Sequence, residues 1–173
     1  MSTAVHVNTH AHAVTHVSTG LIRSLRQIIK ESRLNPAKMT NQWPTLENGV
    51  EVWLTSRHLR SLVLEIHDPS RRHGDDLVGR FDFTINYGYY PDADGELWLD
   101  PDTVYYAVRK AGAFPSLCDY RIVADNEPGR PDVAGWSTTS LRSTAGFTRH
   151  EVGTAIGGGS LGAGLSYYTR TGS

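Results

Sequence analysis

The stretch "LVGRFDFTINY", residues 77–87, indicates how this chain folds. It alternates between an apolar set (Phe81, Phe83, Ile85, Tyr87) and a polar set (Arg80, Asp82, Thr84, Asn86). Because successive side chains of a strand point to opposite faces, this period of two predicts a strand with one face in the core and one in water. "LRSLVLEIH", residues 59–67, is a second predicted strand, and the turn residues between the two favour an antiparallel hairpin.

The rest of the chain is arranged in blocks around this hairpin. The sequence predicts three helices, at residues 18–33, 41–56 and 100–112, and another strand at 119–125. Helices and antiparallel strands in blocks, rather than in strand–helix–strand alternation, predict an α+β fold. The length of 173 residues predicts one domain, residues 1–173.

Composition excludes several function classes. The formal net charge is −1, so no overall field favours nucleic acid, and we expect no direct nucleic-acid partner. Cys118 is the only cysteine and no apolar run approaches a membrane span, so we expect a cytoplasmic protein without a membrane partner. Residues 1–64 carry a net +4 and residues 65–102 a net −7, which is typical either of a surface that orients a protein partner or of a solvated acidic region.

Four of the eight histidines lie in "HVNTHAHAVTHV", residues 6–17. The alternation over residues 4–17 predicts an extended segment, in which His10 and His12 point to one side about 7 Å apart, as in an H-x-H metal pair. Metal-dependent amidohydrolases that carry such a pair need a barrel of roughly 250 residues, and no other spacing in the chain completes the ligand set. We therefore predict no metal, no cofactor and no catalytic residue, and keep a small metal-dependent hydrolase as the alternative.

The composition changes from Asn126 onward. Residues 127–159 are rich in Gly, Pro, Ser and Thr, and a long connection without regular structure is unusual in a compact domain unless it is functional. Within it, "GGGSLG", residues 157–162, matches the spacing G-x-G-x-x-G. Only eleven residues follow it and none is acidic, so a dinucleotide site is excluded and a flexible or tightly turning tail is predicted.

A family resemblance covers essentially the whole chain. It is carried by "HAHAVTHVSTGLIRSLRQII" (10–29), "LNPAKMTNQW" (34–43), "VWLTSRHLRSLVLEIHDP" (52–69), "LVGRFDFTINYGY" (77–89), "YYAVRKAG" (105–112), "PGRPDVAGWS" (128–137) and "RSTAGF" (142–147). The last two are long and specific. In these stretches the chain resembles the bacterial HORMA domains (family 1) of CBASS anti-phage operons.

The resemblance implies a HORMA fold, with three helices packed on an antiparallel sheet. It divides the chain into an N-terminal segment (1–17), a core (18–126) and a mobile safety belt (127–173) that wraps a short closure-motif peptide added as a strand. The belt residues it implies are Arg130, Trp136, Ser137, Arg142, Ser143, Thr144, Gly146 and Phe147.

The resemblance also implies partners. The closed form is expected to bind and activate a CD-NTase, a cyclic-oligonucleotide synthase, and an AAA+ ATPase of the pachytene-checkpoint type is expected to reopen it by pulling on the N-terminal segment. The residues implied for that engagement are Val5, His10, His12 and His16. We therefore predict a non-enzymatic, peptide-gated signalling adaptor. The alternatives are the hydrolase above and a binding module without a conformational switch.

Overall fold

The computed structural model describes residues 9–88 and 97–172. In chain order its elements are α1 (Thr9–Glu31), α2 (Ala37–Asn41), α3 (Trp43–Thr55), β1 (Leu59–His67), β2 (Leu77–Tyr87), β3 (Leu97–Leu99), α4 (Pro101–Ala111), β4 (Asp119–Asn126), β5 (Phe147–Gly158) and β6 (Leu161–Arg170). The three expected helices correspond to α1, α3 and α4, and α2 is a short additional helix. The predicted α+β class is confirmed. Within the described residues, no helix is long and apolar enough to cross a bilayer.

In the described part of the chain, six strands form one antiparallel sheet in the order β3-β5-β6-β2-β1-β4. Its centre is the predicted hairpin, in which Leu62 of β1 lies opposite Phe83 of β2 and Leu64 lies opposite Phe81. β6 pairs along β2, and β5 pairs along β6, so the C-terminal hairpin is part of the sheet. β4 pairs with β1 and stands at one edge of the sheet.

The helices cover one face of this sheet. Leu62, Leu64, Phe81 and Phe83 are fully buried on that face, in one apolar cluster with the stripe of α1. Val63 and Glu65 of β1 alternate with these residues and therefore point to the opposite side, which we call the outer face. Each large side chain buried on the helix face contributes roughly 1.5–3 kcal/mol relative to exposure.

The N-terminal region differs from the prediction. Residues 9–17, expected to be extended, form the first turns of α1, and residues 1–8, including Val5, lie outside the described part of the chain. The physical reason is that Val14 and Val17 continue the buried stripe of Leu21 and Leu25 at helical spacing. The alternation of small and polar residues is compatible both with the period of two of a strand and with the period of 3.6 of a helix. Burial against the sheet favours the helix.

The polar side of β2 is also less exposed than predicted. Thr84 and Asn86 are exposed as expected, but Asp82 is buried and accepts two hydrogen bonds from the guanidinium of Arg80, at 2.7 and 2.8 Å. The same guanidinium lies 4.8 Å from the ring centre of Tyr168 on β6. The prediction of a wet face is wrong for the first half of this strand because β6 supplies a neighbour for the ion pair.

The Gly-rich stretch 157–162 is the turn of the β5–β6 hairpin. Gly159 has φ +62° and begins the turn, so the tightly turning interpretation is confirmed and the flexible tail is wrong. Gly157 lies so close to the indole of Trp98 that a Cβ there would be 2.2 Å from its Nε1. The glycines therefore let β3 and α1 pack directly on the end of the hairpin.

Candidate functional site

The candidate site is built around the edge strand β4. The segment 127–146, which we call the belt segment, joins β4 to β5 and contains no helix or strand. It first runs along α3 on the helix face and then crosses to the outer face. Its contacts on the two faces, described next, fasten it around the side of β4 that β1 does not occupy.

On the helix face the belt segment is fastened by Trp136. Its indole Nε1 donates to the carbonyl of Thr45 at 2.9 Å, and its ring meets that of Trp53 edge-on, with centroids 4.9 Å apart. Trp53 in turn donates to the carbonyl of Pro131 at 2.8 Å, and the guanidinium of Arg130 lies 5.1 Å from its ring. Two indoles thus hold the first half of the belt segment on α3.

Two glycines make this contact possible. A Cβ on Gly49 of α3 would lie 2.3 Å from Nε1 of Trp136, so only a glycine lets the indole lie on the helix. Gly135 has φ +89°, and a Cβ there would lie 2.6 Å from Cγ2 of Thr45. A residue with a side chain at either position would push the belt segment away from α3.

On the outer face the belt segment is fastened by Arg142. Its guanidinium donates to Asp76 at 3.0 and 3.2 Å and to Glu65 at 3.0 Å, and its backbone N–H donates to Glu65 at 2.7 Å. Glu65 is fully buried and also accepts from Arg121 of β4, which donates further to Thr139 and to the carbonyl of Ser140. We call Glu65, Asp76, Arg121 and Arg142 the latch.

The latch is electrostatically balanced, with two carboxylates facing two guanidiniums. Hydrogen bonding to Arg142 lowers the pKa of Asp76 below its ordinary value, more than burial raises it. Burial by itself would lower the pKa of Arg142, but hydrogen bonds to Asp76 and Glu65 outweigh that effect and the pKa is raised. Asp76 and Arg142 are therefore both charged at neutral pH. Lifting the second half of the belt segment would separate these charges.

A cavity of about 650 Å³ lies between β4 and the belt segment. Its wall comprises β4 from Arg121 to Asn126, the belt segment, and side chains of α2 and α3 that include Met39, Leu46 and Trp53. An edge strand presents backbone donors and acceptors along the side away from its neighbour. The arrangement can therefore receive an extended chain as a further strand, with the belt segment closing over it.

The predicted belt residues fall into three groups. Arg130, Trp136 and Ser137 line the cavity. Arg142 lies outside it, in the latch. Ser143, Thr144, Gly146 and Phe147 form the turn into β5: the Ser143 hydroxyl accepts from Ala145 N, the Phe147 N–H donates to the Thr144 carbonyl at 2.9 Å, and the Gly146 carbonyl accepts from Thr171 N. These four residues do not line the cavity.

The predicted histidine residues lie on α1, away from this cavity. His10 is hydrogen-bonded to the Thr55 carbonyl at 3.3 Å, and His16 to the Trp98 carbonyl at 2.9 Å, while His12 is exposed. Two residues apart on a helix, His10 and His12 point in nearly opposite directions, so the same-side H-x-H geometry expected from a strand is wrong. Within residues 9–88 and 97–172 no three His, Cys, Asp or Glu side chains form a metal-binding group.

Sequence reasoning missed Glu65, Asp76, Arg121 and the α3 residues under Trp136. Glu65 gave one signal, because it is the only acidic residue in the apolar strand "LRSLVLEIH". A charge at a buried strand position requires a partner, and the partners Arg121 and Arg142 lie 56 and 77 residues away in sequence. Nothing local in the sequence points to them.

Comparisons with known proteins agree with this architecture. The chain matches the family model described as Bacterial HORMA domain 2 over residues 2–171. The sequence motifs predict family 1, so the number of the matched bacterial HORMA family differs from the prediction. No curated protein sequence matched.

Among solved structures, a chain of the mitotic checkpoint complex has a TM-score of 0.70 at 10% identity, with 91% of this chain and 98% of that chain covered. C. elegans HTP-2 bound to the HIM-3 closure motif has a TM-score of 0.60 at 12% identity, covering 91% and 92%. The E. coli MS115-1 HORMA:CdnC:Trip13 complex has a TM-score of 0.50 at 11% identity, covering 96% and 91%. At these identities the likeness establishes the fold.

Proposed function

The chain belongs to the bacterial HORMA family, and we propose that it is a signalling adaptor that binds a closure-motif peptide between β4 and the belt segment. The observation that carries the proposal is the cavity along the edge of β4, enclosed by a segment fastened at Trp136 on one face and Arg142 on the other. Strand addition would provide backbone hydrogen bonds. The belt segment would slow release, because a strand enclosed in this way leaves only after one fastening opens.

We further propose that the peptide-bound, closed form binds and activates a CD-NTase in the cytoplasm, as part of anti-phage defence. The support is the fold shared with the HORMA protein found in complex with CdnC and Trip13. In this proposal the chemistry takes place in the synthase, so no catalytic residue is assigned to this chain.

An AAA+ ATPase of the pachytene-checkpoint type is proposed to reopen the domain from its N-terminus. Because Val14 and Val17 are buried in the core, pulling would first have to detach the start of α1. The contacts to be broken there include the hydrogen bonds of His10 to Thr55 and of His16 to Trp98. Deleting residues 1–8 would leave α1 complete and should retain peptide binding while abolishing ATPase-driven reopening.

The proposal is tested by filling the cavity. Ser137 is an exposed residue of the cavity wall, and Ser137→Trp places an indole where the peptide would lie. Ser116 is also exposed but does not line the cavity, so Ser116→Trp is the matched control. Each variant is mixed with a purified CD-NTase and a saturating peptide selected for binding to the wild-type chain, and cyclic-oligonucleotide synthesis is measured. We expect Ser137→Trp to lose activation, and Ser116→Trp to activate as well as the wild type. Equal activation by both variants and the wild type would contradict a peptide-gated role.

A further inference from the structure

We infer that the peptide recognised at β4 has a two-sided pattern, with apolar side chains at every second position and polar side chains between them. This inference rests on the proposed function, because it specifies the chemistry of the ligand for the same cavity. Its basis is that the two faces of β4, and the walls that continue them past the edge of the sheet, differ in chemistry.

The helix-face wall is largely apolar, with Gln42 and Thr45 as polar members. Ile122 and Ala124 of β4 are partly buried and pack against the core cluster. Beyond the edge of the sheet the same side of the cavity is lined by Met39 and Leu46, both almost fully buried, and by Trp136. A side chain that enters from an added strand on this face would meet carbon surface, and burial of apolar groups there is favourable.

The outer-face wall carries polar groups on either side of Val123, which is itself almost fully buried. Arg121 points to this face, where its guanidinium is bonded to Glu65 and to the hydroxyl of Thr139 at 2.8 Å. Asp125 is four residues further along β4 and accepts a hydrogen bond from Arg60 at 2.9 Å. An apolar side chain held on this face would cover charged groups without replacing their hydrogen bonds, which is unfavourable.

The geometry of strand pairing transfers this difference to the ligand. Side chains of paired strands that lie opposite one another share a face, so peptide residues beside Ile122 and Ala124 point to the helix face. The residues between them point to the outer face, because successive side chains alternate. β4 contains eight residues, so a peptide of comparable length would place about four side chains on each face.

A library of random nine-residue peptides, selected for binding to the full chain, tests the inference. We expect the enriched sequences to alternate apolar and polar residues. A selected peptide is then compared with one of identical composition whose apolar and polar residues are regrouped in pairs, an arrangement that no shift of register can correct. We expect the regrouped peptide to bind at least about tenfold more weakly.

Two variants test which peptide positions lie on the helix face and which lie on the outer face. Ile122→Glu, or Ala124→Glu if that variant fails to fold, should make the selection favour basic residues at the helix-face positions. Thr139→Glu places a carboxylate on the outer side of the cavity. Peptides selected with this variant should carry basic residues at the outer-face positions and keep apolar residues at the helix-face positions. Equal binding of regrouped and alternating peptides, with binding still blocked by Ser137→Trp, would overturn this inference and leave the proposed function standing. Recovery of no binding peptide would contradict the proposed function itself.

Discussion

Removal of the Arg142 side chain should release the second half of the belt segment while the rest of the domain stays folded. In Arg142→Ala, Asp76 loses both of its hydrogen bonds to the guanidinium, at 3.0 and 3.2 Å, and Glu65 loses one at 3.0 Å. The side chain of Arg142 is 13% exposed, that of Asp76 is 7% exposed and that of Glu65 is fully buried. The substitution therefore leaves nearly buried carboxylates with fewer partners.

The size of the effect follows from that burial. Removing one partner of a fully buried ion pair costs about 3–5 kcal/mol. Arg121 still bonds Glu65 in the variant, and water reaches Asp76 once the belt segment lifts, so we expect about 2–3 kcal/mol of the free energy of belt docking to be lost. That corresponds to a roughly 30- to 150-fold shift in the ratio of docked to undocked belt segment.

Amide hydrogen exchange measures this ratio directly. Exchange over residues 137–146 should accelerate by the factor above, whereas exchange over β1 and β2 should change little. The control is Arg71→Ala, which removes the 3.5 Å pair of the exposed Arg71 with the partly buried Asp68 and should cost about 1 kcal/mol or less. Wild-type exchange rates over 137–146 in Arg142→Ala, or equal acceleration over β1 and β2, would refute the latch as a local fastening.

Three further predictions concern the same fastenings. Gly49→Ala should expel the indole of Trp136, which a Cβ would approach to 2.3 Å, and should lower the melting temperature and raise belt exchange near residue 136. Trp136→Phe keeps an aromatic ring but loses the 2.9 Å bond to the Thr45 carbonyl; a loss of about 1 kcal/mol in urea unfolding is expected, and an unchanged midpoint would contradict that bond. The pKa of Asp76 is lower in the folded state than in the unfolded one, so its ion pair stabilises the fold above about pH 4 and is lost as pH falls through the folded value. Asp76→Asn should therefore be less stable at pH 7 and lose less stability on acidification to pH 3 than the wild type; parallel profiles would be incompatible with the assignment.

The sequence predicted those elements whose signals are local. The period of two in residues 77–87 gave β2, and Asp100 before Pro101 gave the start of α4, where its side chain accepts hydrogen bonds from Asp102 and Thr103. These features succeeded because strand alternation and helix capping depend only on neighbours along the chain.

The predictions that were wrong or incomplete concern residues whose structure depends on partners distant in sequence. Residues 9–17 suited either an extended segment or a helix. Burial of Val14 and Val17 in the core, with Val17 against Gly158 of β5, favours the helix. Within the site, the resemblance identified Trp136 as a belt residue. The packing of its indole against Gly49 was not predicted, because nothing in "TLENGVEVW" indicates that an indole lies across this helix. The three residues that share the latch with Arg142 were missed for the same reason, because Glu65 lies in β1, Asp76 in the turn before β2 and Arg121 in β4.

The central claim is that a peptide binds along β4 beneath the belt segment. Amide hydrogen exchange of the full chain, with and without a saturating library-selected peptide, tests it most directly. The account predicts slower exchange over residues 119–126 and 137–142 in the complex. Protection confined to other surfaces, such as α1 around His12 and His16, with residues 119–126 unchanged, would contradict it.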